Sequence, residues 1–279
     1  MSKLLAFALL AFQAQAFTLR TNDVIAFLGG TDVVTAQQSG HLEALLTLHY
    51  CSLNLRFRNF GWEGDTVFAQ PRDLGFPPLE QHVKNAGATV IVCEFGRAEV
   101  IEGHTAAEFA KTYAKFLARF TNQTARILLV IPPPFERGGG LLPDLTKHNS
   151  LLADYDAAIR RLGFPVIDLS RLTDLTEDGL QITERGHATI AAEFARQLGV
   201  KDQTSPAFEK VRQAVIAKNR LWFNYWRPQN WAFLGGDRIS VPSSRDHRDP
   251  KVRWFPIEME KYLPLISDKE AEIRRLAGL

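Results

Sequence analysis

Four short clusters carry the residues that could do chemistry: Gly29-Gly30-Thr31-Asp32, Gly61-Trp62-Glu63-Gly64-Asp65-Thr66, Gly96-Arg97-Ala98-Glu99 and Asp178-Gly179-Leu180-Gln181. A hydroxyl such as that of Thr31 becomes a nucleophile only when a neighbouring base takes its proton and donors meet the charge that develops on the attacked carbonyl. Carboxylates such as Asp32 and Glu99 do acid–base work where their surroundings separate their pKa values; otherwise they cap helix starts or bind loop amides. Asp65 and Thr66 are read as organisers of their own loop. The histidines at 41, 49, 82, 104, 148, 187 and 247 show no ligand-like spacing, so neither a metal nor another cofactor is expected. Gly138-Gly139-Gly140 lacks the Lys-Ser/Thr ending of a phosphate loop and reads as a mobile surface loop.

Each cluster must be held by something, and apolar runs precede most of them. Residues 24–28, 89–95, 126–131 and 165–169 are near-continuous apolar runs, and 53–60 alternates. Such runs suit strands buried on both faces of a parallel sheet. Helical patterns lie near 40–50, 105–121, 149–162 and 184–198. The alternation predicts a three-layer α/β/α sandwich on a five-stranded parallel sheet, flavodoxin-like, with ligand chemistry at the carboxyl ends of the strands.

In that order the clusters resemble the blocks of the SGNH, or GDSL-type, hydrolase family over roughly residues 22–199. Asn59-Phe60-Gly61-Trp62-Glu63-Gly64-Asp65-Thr66-Val67 is similar to the second block, Asn-x-Gly-x-x-Gly-Asp-Thr. Phe27-Leu28-Gly29-Gly30-Thr31 stands where the family has Gly-Asp-Ser, and Gly96-Arg97-Ala98-Glu99 where it has Gly-x-Asn-Asp. Asp178-Gly179-Leu180-Gln181 stands where it has Asp-Gly-x-His. The resemblance implies a catalytic set of Thr31, Asp178 and Gln181 in place of serine, aspartate and histidine. It implies oxyanion-hole positions at Gly64 and Ala98. Only Gly64 and Asp178 match the family's own residues.

The departures have physical costs. The β-methyl of Thr31 restricts its rotation and crowds the path of attack. Ala98 donates no hydrogen bond, and losing one such donor typically costs about 10²–10³ in turnover. Gln181 takes no proton near neutral pH. His187, Asp32 and Glu99 are the stand-ins for the missing base. The resemblance thus implies a degenerate, secreted bacterial member. One reading is an esterase or deacetylase of carbohydrate or another small ester with a changed catalytic set; the other is a non-catalytic descendant that keeps the pocket and binds a glycan or a partner.

Residues 1–16 read as a secretory signal peptide: Lys3, an apolar run from Leu4 to Phe12, then Ala14-Gln15-Ala16. The expected product begins at Phe17, is secreted or periplasmic, and keeps no transmembrane anchor. Residues 17–204 form the SGNH-like domain. Residues 205–279 form an aromatic-rich extension packed on it, with helices at 206–226 and 257–277 around an irregular 227–256. The extension carries four of the five tryptophans and a net charge of +5 over 206–279, from 14 basic and 9 acidic residues. Its rings and arginines either stack on sugars and bind acidic groups or pin the extension to the core, and it could dock a protein partner. The whole chain of 279 residues nets only +2, which argues against nucleic acid as a partner. Cys51 and Cys93 are read as unpaired thiols.

Overall fold

The computed structural model describes residues 17–124, 126–139, 143–201 and 205–278; the expected export segment 1–16 and Gly140 lie outside the described residues. The strands are β1 (Val24–Gly29), β2 (Arg56–Asn59), β3 (Val90–Glu94), β4 (Ile127–Ile131) and β5 (Val166–Asp168). The helices of the first two-thirds are α1 (Thr31–Ser39), α2 (His41–His49), α3 (Leu79–Asn85), α4 (Arg97–Glu102), α5 (Ala106–Ala118), α6 (Asn149–Arg161) and α7 (Glu184–Gln197). The extension adds α8 (Phe208–Trp226), α9 (Trp231–Leu234), α10 (Trp254–Glu260) and α11 (Tyr262–Leu276).

All strand pairs are parallel, in the order β2-β1-β3-β4-β5. This is the doubly wound, five-stranded α/β sandwich that the apolar runs predict. Alternation within each strand builds two cores. Ala26, Leu28, Ile91, Cys93, Ile127 and Leu129 face one side, against Val83 of α3, Phe109, Tyr113 and Phe116 of α5 and Tyr155 of α6. Ile25, Phe57, Val90, Val92, Leu128 and Val130 face the other, against Leu45 and Leu46 of α2 and Phe194 of α7. A side-chain period of two buries both sets only because helices cover both faces.

The extension closes the β2 edge of the sheet. Trp222 Nε1 of α8 donates to Asn59 O at 2.7 Å, and Lys218 Nζ lies 3.3 Å from Phe57 O. These side chains occupy carbonyls that an exposed edge strand would leave open to another chain. Ala44 of α2, Val211 and Val215 of α8 and Ile273 of α11 form a small third core beneath them. Trp222 and Trp226 are buried against Phe60, with ring centroids 5.3 and 5.2 Å away.

Some expected elements are redrawn. The 40–50 helix is α2, and a separate α1 precedes it. Gly40 divides them in the left-handed region at φ 70°, where a Cβ would also lie 2.9 Å from the Ile216 side chain. The expected 257–277 helix is two helices meeting at Lys261. Pro264 has no amide proton, and its ring would collide with the carbonyl four residues back, so a helix runs forward from it but not through it. The irregular 227–256 contains α9 and a short 3₁₀ turn, Pro242–Ser244. Gly138 is not part of a free loop: a Cβ there would fall 1.9 Å from Asp178 O, and Gly139 N donates to Glu177 O. Cys51, half-buried, and Cys93, buried, are both free thiols. No helix among the described residues is long and apolar enough to cross a membrane.

Candidate active-site pocket at the strand ends

The chain order of the sheet reverses between β1 and β3, so the loops leaving these two strands diverge and open a crevice. A pocket of about 410 Å³ fills it, lined by Thr31, Asp32, Asp65, Glu94, Arg97, Ala98, Glu99 and Gln181, with Phe135 and Pro132 as apolar wall. β1 and β3 approach so closely that a Cβ on Gly29 would stand 2.5 Å from Glu94 O. Glycine there lets α1 begin immediately after the strand and sets Thr31 at the pocket.

The structure gathers Thr31, Ala98 and Gln181 around this pocket, together with Asp32 and Glu99. Gly64, Asp178 and His187 do not line it. Gly64 is exposed in the loop after β2, at φ 79°. Asp178 turns its carboxylate to its own loop: Oδ1 accepts from Gln181 N at 2.7 Å and Leu180 N at 2.9 Å, and these amides hold its pKa below the usual carboxylate value. His187, buried in α7, lines a separate apolar cavity of about 70 Å³ behind α1. Its Nε2 has no partner, and burial lowers its pKa against the pull of Asp32 and Glu184. The Thr31 hydroxyl makes no hydrogen bond among the described residues.

Glu99 is committed to structure. Its two oxygens accept from Val67 N at 2.8 Å and Gly96 N at 2.7 Å, tying the start of α4 to the loop after β2. Asp65 is likewise gripped at both oxygens by Arg72, at 2.7 and 2.6 Å, with the Arg72 guanidinium over Trp62. Thr66 Oγ1 accepts from Phe68 N and Ala69 N.

Two residues outside the sequence-derived set dominate the pocket's electrostatics. Arg97, 6% exposed, donates to Asp32 Oδ2 and to Leu180 O, both at 2.9 Å, and lies over the Phe135 ring. It bridges the first turn of α1 to the loop carrying Gln181. Glu94 closes β3 beside Gly29 and opens onto both the strand-end pocket and the cavity of His187. Burial, and then the Asp32 carboxylate, push its pKa up to about 8, with Arg97 opposing. A carboxyl that is protonated at neutral pH thus stands beside one that Arg97 keeps paired. The sequence signal for Glu94 is a lone acid closing an apolar strand. The signal for Arg97 is a long cation at the variable position of the third block.

No protein-family model matches the chain, and neither does a curated protein sequence. Solved structures do. An acetylxylan esterase from Geobacillus stearothermophilus superposes with a TM-score of 0.51 at 15% identity, over 68% of this chain and 99% of its own. LAE5, an alpha/beta hydrolase enzyme from the metagenome of Lake Arreo, gives 0.51 at 15% identity, over 67% and 99%. A GDSL-like lipase from Parabacteroides merdae gives 0.50 at 15% identity, over 67% and 100%. With its 2-1-3-4-5 parallel sheet and strand-end crevice, the chain has the fold of the SGNH/GDSL-type hydrolases.

Proposed function

We propose that this protein uses the hydrolase fold to bind a small hydroxylated ligand, of the carbohydrate class, in the strand-end pocket, and has lost serine-type ester hydrolysis. One observation carries the reading: the pocket is open, yet the Thr31 hydroxyl has no base, and the pocket wall holds the Arg97–Asp32 ion pair instead. The Arg97 guanidinium, the Asp32 carboxyl group it pairs with and the buried Glu94 carboxyl offer donors and acceptors together, which is what vicinal hydroxyls need. The carbohydrate class is supported by the acetylxylan esterase among the structures of similar fold. Export belongs to the same proposal, with residues 1–16 removed before Phe17; mass spectrometry of exported protein beginning at Met1 would contradict it.

Isothermal titration with xylo-oligosaccharides, acetylated and plain, alongside a 4-nitrophenyl acetate assay, tests the function. The expected result is saccharide binding weakened at least tenfold by Arg97→Gln, with no turnover above background. Turnover abolished by Thr31→Ala overturns the proposal and restores the esterase reading.

A further inference from the structure

A second cavity, of about 350 Å³, lies away from the strand ends, at the β2 edge between α3, α8 and α11. Its size is at the small end of organic-ligand pockets. Arg56 and Arg58 are two apart on β2, so their side chains leave the strand on the same face and both line it. Arg58 is spoken for: Nη1 lies 2.5 Å from Glu270 Oε1 and 2.9 Å from Phe57 O, and the guanidinium covers the Trp222 ring. The Arg56 backbone amide donates to Asp23 O, but its guanidinium makes no ion pair or hydrogen bond among the described residues. The cavity therefore holds one uncompensated positive charge.

Its walls are of two kinds. Tyr225 is a half-buried ring that lines the cavity, 5.7 Å from Trp222. Asn85 and Ser267 contribute neutral polar groups. His82, whose imidazole burial keeps neutral, and Trp226 complete the lining and add no charge.

We infer that this edge cavity is a second binding site, independent of the strand-end pocket, for a ring-shaped carboxylate of the uronic-acid class. A single free guanidinium matches one carboxylate, which its fork can take with two hydrogen bonds. A phosphate would bring nearly twice that charge. The tyrosine ring suits the apolar face of a sugar ring, and Asn85 and Ser267 suit its hydroxyls.

The test is titration calorimetry of the wild-type protein with D-glucuronate and with D-glucose, repeated on Arg56→Gln, Ser267→Trp and Arg97→Gln. Arg56→Gln removes only the free charge, Ser267→Trp fills the cavity, and Arg97→Gln disables the strand-end pocket. Circular dichroism establishes that each variant is folded. The expected pattern is glucuronate binding at least tenfold tighter than glucose, lost in Arg56→Gln and Ser267→Trp and kept in Arg97→Gln. Absence of glucuronate binding at about 10 mM, equal binding of both sugars, or binding lost with Arg97→Gln but kept with Arg56→Gln overturns the inference. Should Ser267→Trp fail to fold, Arg56→Gln decides alone.

Discussion

Lys218 Nζ lies 2.7 Å from Glu43 Oε1, with the lysine side chain completely buried. The pair joins α8 of the extension to α2 of the sandwich, and the same ammonium reaches the edge carbonyl of Phe57. Burial works against both charges, lowering the lysine pKa and raising the glutamate's, and their mutual attraction opposes it. Breaking such a pair leaves a charge stranded. Lys218→Met should therefore destabilise the protein by about 3–5 kcal/mol, and adding Glu43→Gln should recover much of the loss. Urea denaturation of the wild type, both single variants and the double variant measures this. A double variant no more stable than Lys218→Met would mean that Glu43 is not the partner that matters.

Ile91 lies in β3, the middle strand of the sheet, and is 0% exposed. Ile91→Asp places a charge in an apolar core with no partner within reach. The cost should be several kcal/mol, comparable to a domain's whole stability. Soluble protein with a cooperative unfolding transition would count against the strand's central role.

What the sequence made legible follows from burial. β1, β3 and β4 are covered on both faces, so their residues form apolar runs that stand out from their surroundings. α1 was invisible because Thr-Asp-Val-Val-Thr-Ala-Gln-Gln-Ser mixes β-branched and polar residues and starts directly on two glycines. α4, six residues between Gly96 and Gly103, is too short for a period to show. At the pocket, Thr31, Ala98 and Gln181 could be named because each stands at a fixed place in a motif. Arg97 sits at a position the motif leaves open, and only the geometry of α4 aims it at Asp32. Glu94 reads as the end of a strand; its raised pKa comes first from burial and then from the Asp32 carboxylate, 62 positions away in the chain.

That pKa has a consequence for stability. The ordinary carboxyl value is 4.5 and the folded value is about 8. Between these the folded state holds a proton that the unfolded state releases, so stability falls as pH rises through the window. Glu94→Gln cannot ionise. It should match the wild type near pH 4 and exceed its stability by a few kcal/mol, as an order of magnitude, near pH 9. Chemical denaturation across that range checks this. Parallel curves for the two proteins would remove Glu94 as the source of the fall.

Catalysis can be tested by restoration. Thr31→Ser, Ala98→Asn and Gln181→His put back a nucleophile, an oxyanion donor and a base at positions that already surround one pocket. Asp178 keeps one oxygen on the Leu180 and Gln181 amides and leaves the other to orient an imidazole at position 181. Arg97 fixes the same loop through Leu180 O. The triple variant should therefore turn over 4-nitrophenyl acetate measurably above the wild type. Single restorations should do little, because members of a catalytic set act as a unit. Adding Arg97→Gln to the triple variant should erase much of the gain by loosening the loop that carries the new histidine. A triple variant that stays inactive while folded would show that the crevice has moved away from the family's geometry as well as its residues. A wild type as active as the triple variant would place the reaction on Asp32 and Glu94, where their single substitutions to Asn and Gln would then abolish it.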